Sequence, residues 1–239
     1  MIGNIATLFG IEIAVGKREE LLTRAAEMIF RGGRISTVNP EIMRDSMYNP
    51  ALRSALSGSL NIPDGIGIKH ALAMKGIKTD IYPGVELGER LLDQAPLRLG
   101  IIGGKEGVAA RAMDNLILRH PTVSAAFAEC GYDIDLHFLA KKIFDTSPDI
   151  VMVCLGSPKQ ELFIENISKY SDKTLFIGLG GSVDIYSEEK KRAPEVIRLL
   201  GCEWLYRMIK EPKRLRRAPK LADFALLCAM EARIVRKKR

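Results

Sequence analysis

Short runs of Val, Ile and Leu alternate along the chain with stretches whose apolar residues recur at helical spacing. The apolar runs predict strands over residues 10–15, 34–38, 59–62, 97–102, 123–128, 150–155 and 174–179. Several of them are continuous apolar segments bounded by Gly or Pro, which is typical of parallel strands buried on both faces.

Helical patterns lie between these strands, over residues 17–30, 106–119, 135–144 and 158–170. Strands that alternate with helices predict an α/β fold with a doubly wound, mostly parallel sheet. Such sheets bind ligands at the carboxyl ends of their strands. The residues that directly follow each predicted strand are therefore the candidates for function.

The pattern changes near residues 192–195. Beyond Pro194 no strand is predicted, and helical, basic segments dominate. We therefore expect a body over residues 1–194 and a helical, basic appendage over residues 195–239.

The net charge of +7 is concentrated in this appendage. Residues 195–239 hold 13 Lys and Arg against 5 Asp and Glu, whereas residues 1–194 hold 23 against 24. A basic cluster at 213–217 precedes an apolar segment at 221–230, which is the pattern of an interfacial membrane anchor. A solvated end, or a helix packed on the body, is the structural alternative. An exposed apolar tail also suggests a homo-oligomer away from the membrane.

Composition is that of a globular protein, with 47% hydrophobic and 27% charged residues. The four cysteines form no CxxC pair, so neither a zinc site nor a redox motif is indicated: Cys130, Cys154, Cys202 and Cys228. The sequence contains no leader-like start and no run of about 20 apolar residues. We therefore expect a cytoplasmic protein that is soluble or peripheral to a membrane.

Polar residues follow two of the predicted strands. Thr37 and Asn39 end the strand at 34–38, and both side chains can hydrogen-bond a polar ligand. Asp64 follows the strand at 59–62, and a carboxylate there can act as a general base towards a sugar hydroxyl. The structural alternative for Asn39 and Asp64 is the N-cap of a following helix, with Pro40 at the first helical position.

Three further strand ends carry glycine-rich or polar segments. Gly103 and Gly104 open a turn of the kind that binds phosphate or nucleotide, or that lets a helix pack closely on a strand. Gln160 and Glu161 lie in the first turn of a predicted helix, and we expect Glu161 to bind substrate. Asp184 follows a run of glycines and can bind ribose hydroxyls.

Asp133 and Asp135 resemble a metal-binding DxD pair, but Asp135 directly precedes a helix and is better explained as its N-cap. The histidines have no metal-ligand spacing and no base partner: His70, His120 and His137. No metal site and no cofactor are predicted.

Taken together, these segments resemble the WecG/TagA/CpsF glycosyltransferases over nearly the whole chain. The Gly-Ser-Pro-Lys-Gln-Glu and Glu-Trp-Leu-Tyr-Arg strings are the most specific. The matching segments are Thr37–Glu41, Pro63–Gly67, Gly84 with Leu87, Gly103–Gly104, Gly131–Tyr132, Gly156–Glu161, Gly178–Asp184, Lys191–Pro194 and Glu203–Arg207.

The resemblance implies a Rossmann-like catalytic body and an appendage that docks on the inner face of the bacterial plasma membrane. It implies an inverting, metal-independent transfer of N-acetylmannosamine, or a related sugar, from a UDP-sugar to a polyprenyl-diphosphate-linked N-acetylglucosamine. On this basis Asp64 is the general base, and Thr37 and Asn39 position the sugar or the acceptor. Gln160 lines the catalytic pocket and Asp184 lies against the nucleotide.

The chain departs from the family at one position. Members often carry an arginine three residues before the glycine matched to Gly84, and here that position is Ile81. Departing UDP gains negative charge, so another cation must face it. Lys78 is near in sequence, and the appendage offers Arg207, Arg214 and Arg217.

Two other classes of protein are alternatives. A nucleotide-dependent oxidoreductase fits the alternating pattern, but the GxGxxG fingerprint is missing. A non-enzymatic module that binds membrane or nucleic acid fits the basic tail, but it has no use for polar residues at four strand ends. We therefore expect no nucleic acid partner.

Overall fold

A computed structural model describes residues 4–199, 203–210 and 218–237. The described residues form eight strands: β1 Ile5–Leu8, β2 Ile11–Ala14, β3 Gly33–Val38, β4 Leu60–Pro63, β5 Leu97–Gly103, β6 Val123–Glu129, β7 Ile150–Cys154 and β8 Leu175–Gly178. They also form twelve α-helices: α1 Arg18–Arg31, α2 Pro40–Ser46, α3 Pro50–Ser57, α4 Ile66–Met74, α5 Gly84–Leu92, α6 Val108–Arg119, α7 Leu136–Thr146, α8 Lys159–Ile167, α9 Ser182–Tyr186, α10 Glu195–Leu199, α11 Glu203–Lys210 and α12 Ala218–Lys237.

Six strands form one parallel sheet in the order β4-β3-β8-β7-β5-β6. All seven predicted strands are present, and the Rossmann-like, doubly wound α/β fold is confirmed. The first predicted strand does not join this sheet, however. As β2 it pairs antiparallel with β1, which the sequence did not predict. Residues of β1 alternate between exposed and buried, so this strand lacks the continuous apolar run by which the others were found.

Helices cover both faces of the sheet, as a parallel sheet requires. Along β7, Ile150 and Met152 pack in one apolar cluster with α1, α5 and α6. Val151 and Val153 pack in a second cluster with α7 and α8. The core is therefore two layers of side chains separated by the sheet.

The four predicted helices are present as α1, α6, α7 and α8, whereas α2 to α5 were not predicted. Each of these four spans only seven to nine residues, which is too short to show a helical repeat. Local capping fixes two of them: Asn39 accepts a hydrogen bond from the Ile42 N–H, and Asn49 accepts one from the Leu52 N–H.

The last helix, α12, packs on α2 and α4. Phe224 and Cys228 are buried in an apolar cluster with residues of β1, β2 and these two helices, and the Phe224 ring meets Phe9 edge to face. Ion pairs join the same surfaces, with Arg44 Nε 2.7 Å from Asp223 Oδ2 and Lys220 Nζ 2.6 Å from Asp45 Oδ2. The boundary near residue 194 stays a prediction, although α12 shares an apolar cluster with the body.

The beginning of the appendage is held by one carboxylate, that of Glu86 on α5. Within the described residues, Glu86 forms ion pairs with Arg18 of α1, with Arg192 at 2.6 Å and with Arg198 at 3.3 Å. Arg192 also lies 3.5 Å from Glu203 of α11. Three guanidinium groups, one from α1 and two from residues 192–198, thus share a single half-buried carboxylate.

Replacing Glu86 by Gln is expected to loosen residues 192–199, because it leaves these arginines without their shared carboxylate. Hydrogen bonds to charged groups contribute about 1.5–3 kcal/mol each. Hydrogen–deuterium exchange should therefore be faster in residues 192–199 of E86Q than in the wild type. The control is E89Q, since Glu89 is one turn further along α5 and pairs with a single arginine, Arg119. Equal exchange in the two variants would contradict this role of Glu86.

Candidate functional site

The sheet order brings most of the predicted site residues to one edge. The carboxyl ends of β4, β3, β8 and β7 are neighbours, and they are followed by Asp64, Asn39, Leu179 and Leu155 respectively. Segments far apart in sequence therefore meet along a line.

Thr37 is the most constrained of these residues. Its side chain is buried, and its hydroxyl donates a hydrogen bond to the Gly178 carbonyl oxygen at 2.9 Å, across the pairing of β3 with β8. A Cβ atom added to Gly84 would lie only 3.1 Å from the same hydroxyl oxygen. Glycine at position 84 thus lets the start of α5 approach β3 closely.

Asp64 lies directly beyond β4 and is half-buried. Its backbone N–H donates to the Val38 carbonyl at 2.8 Å, which holds the residue beside the end of β3. The Gly84 N–H lies 3.4 Å from Asp64 Oδ2. The N-cap of α4 is Gly65 rather than Asp64, so the carboxylate does not cap that helix.

Asn39 lies directly after β3, two residues beyond Thr37, and its side chain has a structural role. Its side-chain oxygen accepts the Ile42 N–H at 3.0 Å, so the predicted N-cap with Pro40 at the first helical position is present. A role towards substrate stays a prediction for this residue and would fall to the amide NH2 group.

Gln160 and Glu161, in the first turn of α8, are both only 2% exposed. Gln160 Nε2 donates to Glu161 Oε1, and Gln160 Oε1 accepts the Gly180 N–H, both at 2.8 Å. Burial raises the pKa of Glu161 above its usual value, and the polar neighbours Gln160 and Ser157 oppose this only in part. A direct contact of either side chain with substrate stays a prediction.

Gly103 and Gly104 form a tight turn after β5 with φ values of 151° and 71°. A Cβ on Gly103 would lie 2.6 Å from the Cys154 carbonyl oxygen, and the Gly131 N–H donates to the Gly104 carbonyl at 2.9 Å. Close packing of neighbouring strand ends therefore explains both glycines, and a phosphate contact is a prediction beyond that.

Asp184 lies in α9, the short helix that follows the glycines after β8, and it forms an ion pair with Lys190 at 2.9 Å. Arg207 belongs to α11, but its side chain lies outside the described residues, as do Arg214 and Arg217 entirely. Their proposed contacts with the donor stay predictions.

The predicted N-cap role of Asp135 is confirmed, since its carboxylate accepts the N–H groups of His137 and Phe138. Over residues 4–199, 203–210 and 218–237, no three His, Cys, Asp or Glu side chains are grouped as a metal site would require. Nor do these residues include a helix that is long and apolar enough to cross a membrane.

The two sequence neighbours of Ile81, the position of the departure from the family, line two cavities that also contain basic side chains. Ile81 is flanked by Asp80, which lines a cavity of about 490 Å³ together with Lys17, Lys69 and Lys78. After Ile81 in the chain, Tyr82 lines a second cavity, of about 670 Å³. The three arginines that pair with Glu86 line the same cavity. This grouping could not be predicted, because Arg18 and Arg192 are far apart in the chain.

The sequence profile described as the glycosyl transferase WecG/TagA/CpsF family matches residues 6–239. The chain belongs to this family. It is therefore a glycosyltransferase, and membership favours that activity over the nucleotide-dependent oxidoreductase and the non-enzymatic module.

Individual WecG/TagA/CpsF relatives agree with the profile. Two proteins named N-acetylglucosaminyldiphosphoundecaprenol N-acetyl-beta-D-mannosaminyltransferase are similar to this chain. The one from Bacillus subtilis (strain 168) is 35% identical over 209 residues, covering 84% of this chain and 80% of the relative. The one from Staphylococcus aureus (strain MW2) is 30% identical over 208 residues, covering 85% and 82%.

Replacing Glu161 by Gln is expected to stabilise this transferase at neutral pH. The folded state raises the pKa of Glu161 from its ordinary value of 4.5. Ionisation therefore opposes folding, and this cost is absent below pH 4.5 and grows as the pH rises above it. Thermal unfolding should show E161Q above the wild type at pH 7.5, with a smaller difference near pH 4.5. The control is E106Q, which removes an exposed carboxylate. A gain in E161Q that did not change with pH would contradict the explanation.

Proposed function

We propose that this protein transfers N-acetylmannosamine, or a closely related sugar, from a UDP-sugar to an N-acetylglucosamine linked through diphosphate to a polyprenol. The product is an intermediate of a cell-surface polysaccharide such as teichoic acid. The observation that carries the proposal is the placement of Asp64, half-buried beside Thr37, in a chain whose relatives are named as mannosaminyltransferases on a diphosphoundecaprenol acceptor.

Asp64 is the general base in this mechanism. The carboxylate removes the proton from an acceptor hydroxyl while that oxygen attacks C1 of the donor sugar. The C1–O bond to UDP breaks on the opposite face, so the anomeric configuration inverts and the bonding electrons leave with UDP. One carboxylate is sufficient for this single displacement. The Gly84 N–H, at 3.4 Å from Oδ2, helps to orient it.

Cations rather than a metal ion balance the charge of the departing UDP in this proposal. Ile81 supplies none, so we assign the task to Arg207, Arg214 and Arg217 of the appendage, with Gly103, Gly104 and Asp184 beside the nucleotide. The appendage closes over the donor when the protein engages its membrane.

Membrane binding follows from the appendage surface. Trp204, Leu205 and Ile209 of α11 are exposed, and Lys210 is beside them. Large apolar side chains next to basic ones suit the boundary of an anionic leaflet, where each Lys or Arg contributes about 1 kcal/mol. We place the enzyme on the cytoplasmic face, where a UDP-sugar is available.

Replacing Asp64 by Asn should lower kcat by about 10²–10⁴-fold, which is the usual contribution of a general base. The Kd for UDP should stay near the wild-type value. UDP release is measured over a panel of UDP-sugars with a synthetic N-acetylglucosaminyl diphosphate lipid, in EDTA. The control is D133N, which removes an exposed carboxylate of the DxD-like pair. Full turnover by D64N would refute the base assignment, and turnover that needs added divalent metal would refute the metal-independent mechanism.

Replacing Arg214 and Arg217 together by Gln should reduce turnover with a soluble acceptor analogue as well as with the lipid acceptor on vesicles. The expected loss is about 10-fold or more, because the leaving diphosphate loses cations. The matched control replaces Lys237 and Lys238, which removes the same charge from the end of the chain. Equal use of the soluble acceptor by R214Q/R217Q and the wild type would show that these arginines serve membrane binding alone.

A further inference from the structure

The side chain of Glu161 has an unusual environment for a carboxylate. It is 2% exposed, and its Oε1 accepts one hydrogen bond, from the amide of Gln160. Its Oε2 is shielded from solvent and has no partner at hydrogen-bond distance within the part of the chain that the structure describes, and Ser157 is the other polar side chain that acts on this carboxyl group. Burying a carboxyl group in this way costs stability. A buried residue that lowers the stability of the fold, and that no stabilising contact compensates, is a candidate for a role in activity.

Its partner Gln160 has an orientation that burial alone cannot fix. The two ends of an amide have nearly the same shape, but one accepts hydrogen bonds and the other donates them. Here Oε1 accepts the Gly180 N–H at 2.8 Å. With the amide turned over, its NH2 group would face the Gly180 N–H, and two donors would oppose each other. Glu161 Oε1 and the Gly180 N–H therefore select the same orientation, because only an acceptor can pair with Nε2 and only a donor with Oε1.

The hydrogen bond to Gly180 fixes the turn that follows β8. A Cβ on Gly178 would lie 3.0 Å from Gln160 Nε2, so the amide packs directly against this backbone. On its other side, the Gly178 carbonyl accepts the Thr37 hydroxyl at 2.9 Å. Thr37 lies close to Gly84, because a Cβ on Gly84 would be 3.1 Å from its hydroxyl oxygen, and the Gly84 N–H is directed at Asp64. A chain of short contacts therefore crosses the sheet edge from α8 through β8 and β3 to the residue after β4.

We propose that Glu161 is a positioning residue, which holds the Gln160 amide and through it the turn of Gly178–Gly181, against which Thr37 and Asp64 are placed. This inference rests on the proposed function and deepens it. In this proposal Glu161 acts through Gln160 and not by contact with the sugar. We call the contacts from Glu161 through Gln160 to Gly180 the relay. A misplacement of about 1 Å at reacting atoms can cost about 100-fold in rate, so the relay can limit catalysis.

Two substitutions separate the hydrogen bond from the charge. Glu161→Gln keeps a side-chain oxygen that can accept from Gln160 Nε2. Glu161→Leu has a similar size and offers no acceptor. Because both remove a costly buried carboxyl group, neither is expected to impair folding. We expect kcat of E161Q to stay within about 3-fold of wild type, and kcat of E161L to fall by about 10–100-fold.

A double-mutant cycle tests whether Glu161 acts through Gln160. Gln160→Met removes the acceptor for the Gly180 N–H. If the two residues form one relay, adding E161L to Q160M should lower kcat by less than 2-fold further. Independent losses that multiply in the double variant would overturn the proposal, because a residue that only supports packing would behave in that way.

A spectroscopic measurement reports on the relay without turnover. In protein labelled with ¹⁵N-glycine, the Gly180 amide is assigned from the signal missing in Gly180→Ala. Its proton resonance should keep its position in E161Q. It should move upfield in Q160M, which has no acceptor for the Gly180 N–H, and by less in E161L, where the Gln160 amide keeps its oxygen but loses the partner of Nε2. If the wild type transfers sugar but the Gly180 resonance does not move in E161L, the relay is wrong and the function stands. If the resonance moves as expected but no UDP-sugar supports transfer by the wild type, the proposed function is wrong and the relay stands.

Discussion

Parallel pairing of β3 with both β4 and β8 is the constraint on which the rest of this structure depends. Ile35 pairs with Leu60 on one side and with Ile177 on the other, and all three strands run in the same direction. Their carboxyl ends must therefore lie at one edge. Thr37, Asp64 and the glycines after β8 meet because of this pairing, although 141 residues separate Thr37 from Gly178. Helices on both faces follow from the same constraint, since a parallel sheet leaves neither face to solvent.

Three carboxylates in this fold have different surroundings. Asp64 is half-buried, next to a backbone N–H, and in the proposed mechanism it accepts a proton. Glu86 is surrounded by arginines and joins segments of the chain that are remote in sequence. Glu161 is buried without a cation, so burial dominates and raises its pKa. The same chemical group thus differs in function because its solvent exposure and its charged neighbours differ.

Much of the fold and part of the site could be predicted from the sequence. Long apolar runs gave the six sheet strands because burial on both faces leaves a continuous pattern. The half-exposed strand β1 and the short helices α2 to α5 leave no such pattern, and so they were missed. At the site, position after a strand was sufficient to single out Thr37, Asp64 and Gln160. The tie between Glu161, Gln160 and Gly180, and the three arginines on Glu86, could not be predicted. They arise from tertiary contacts between segments without any shared local pattern.

The packing of α12 has a consequence for how the appendage can be studied. Phe224, Cys228 and Ala232 fill space between α2 and α4, the two helices that start beside Asn39 and Asp64. Removing the tail therefore does more than remove charge: it exposes the apolar surface of Phe9, Met43 and Leu72 to water. A shortened protein would differ from the intact one in solubility and cooperativity of unfolding. A loss of activity in that protein would reflect the damaged core as well as the missing membrane contact. Substitutions of single exposed side chains distinguish these two causes.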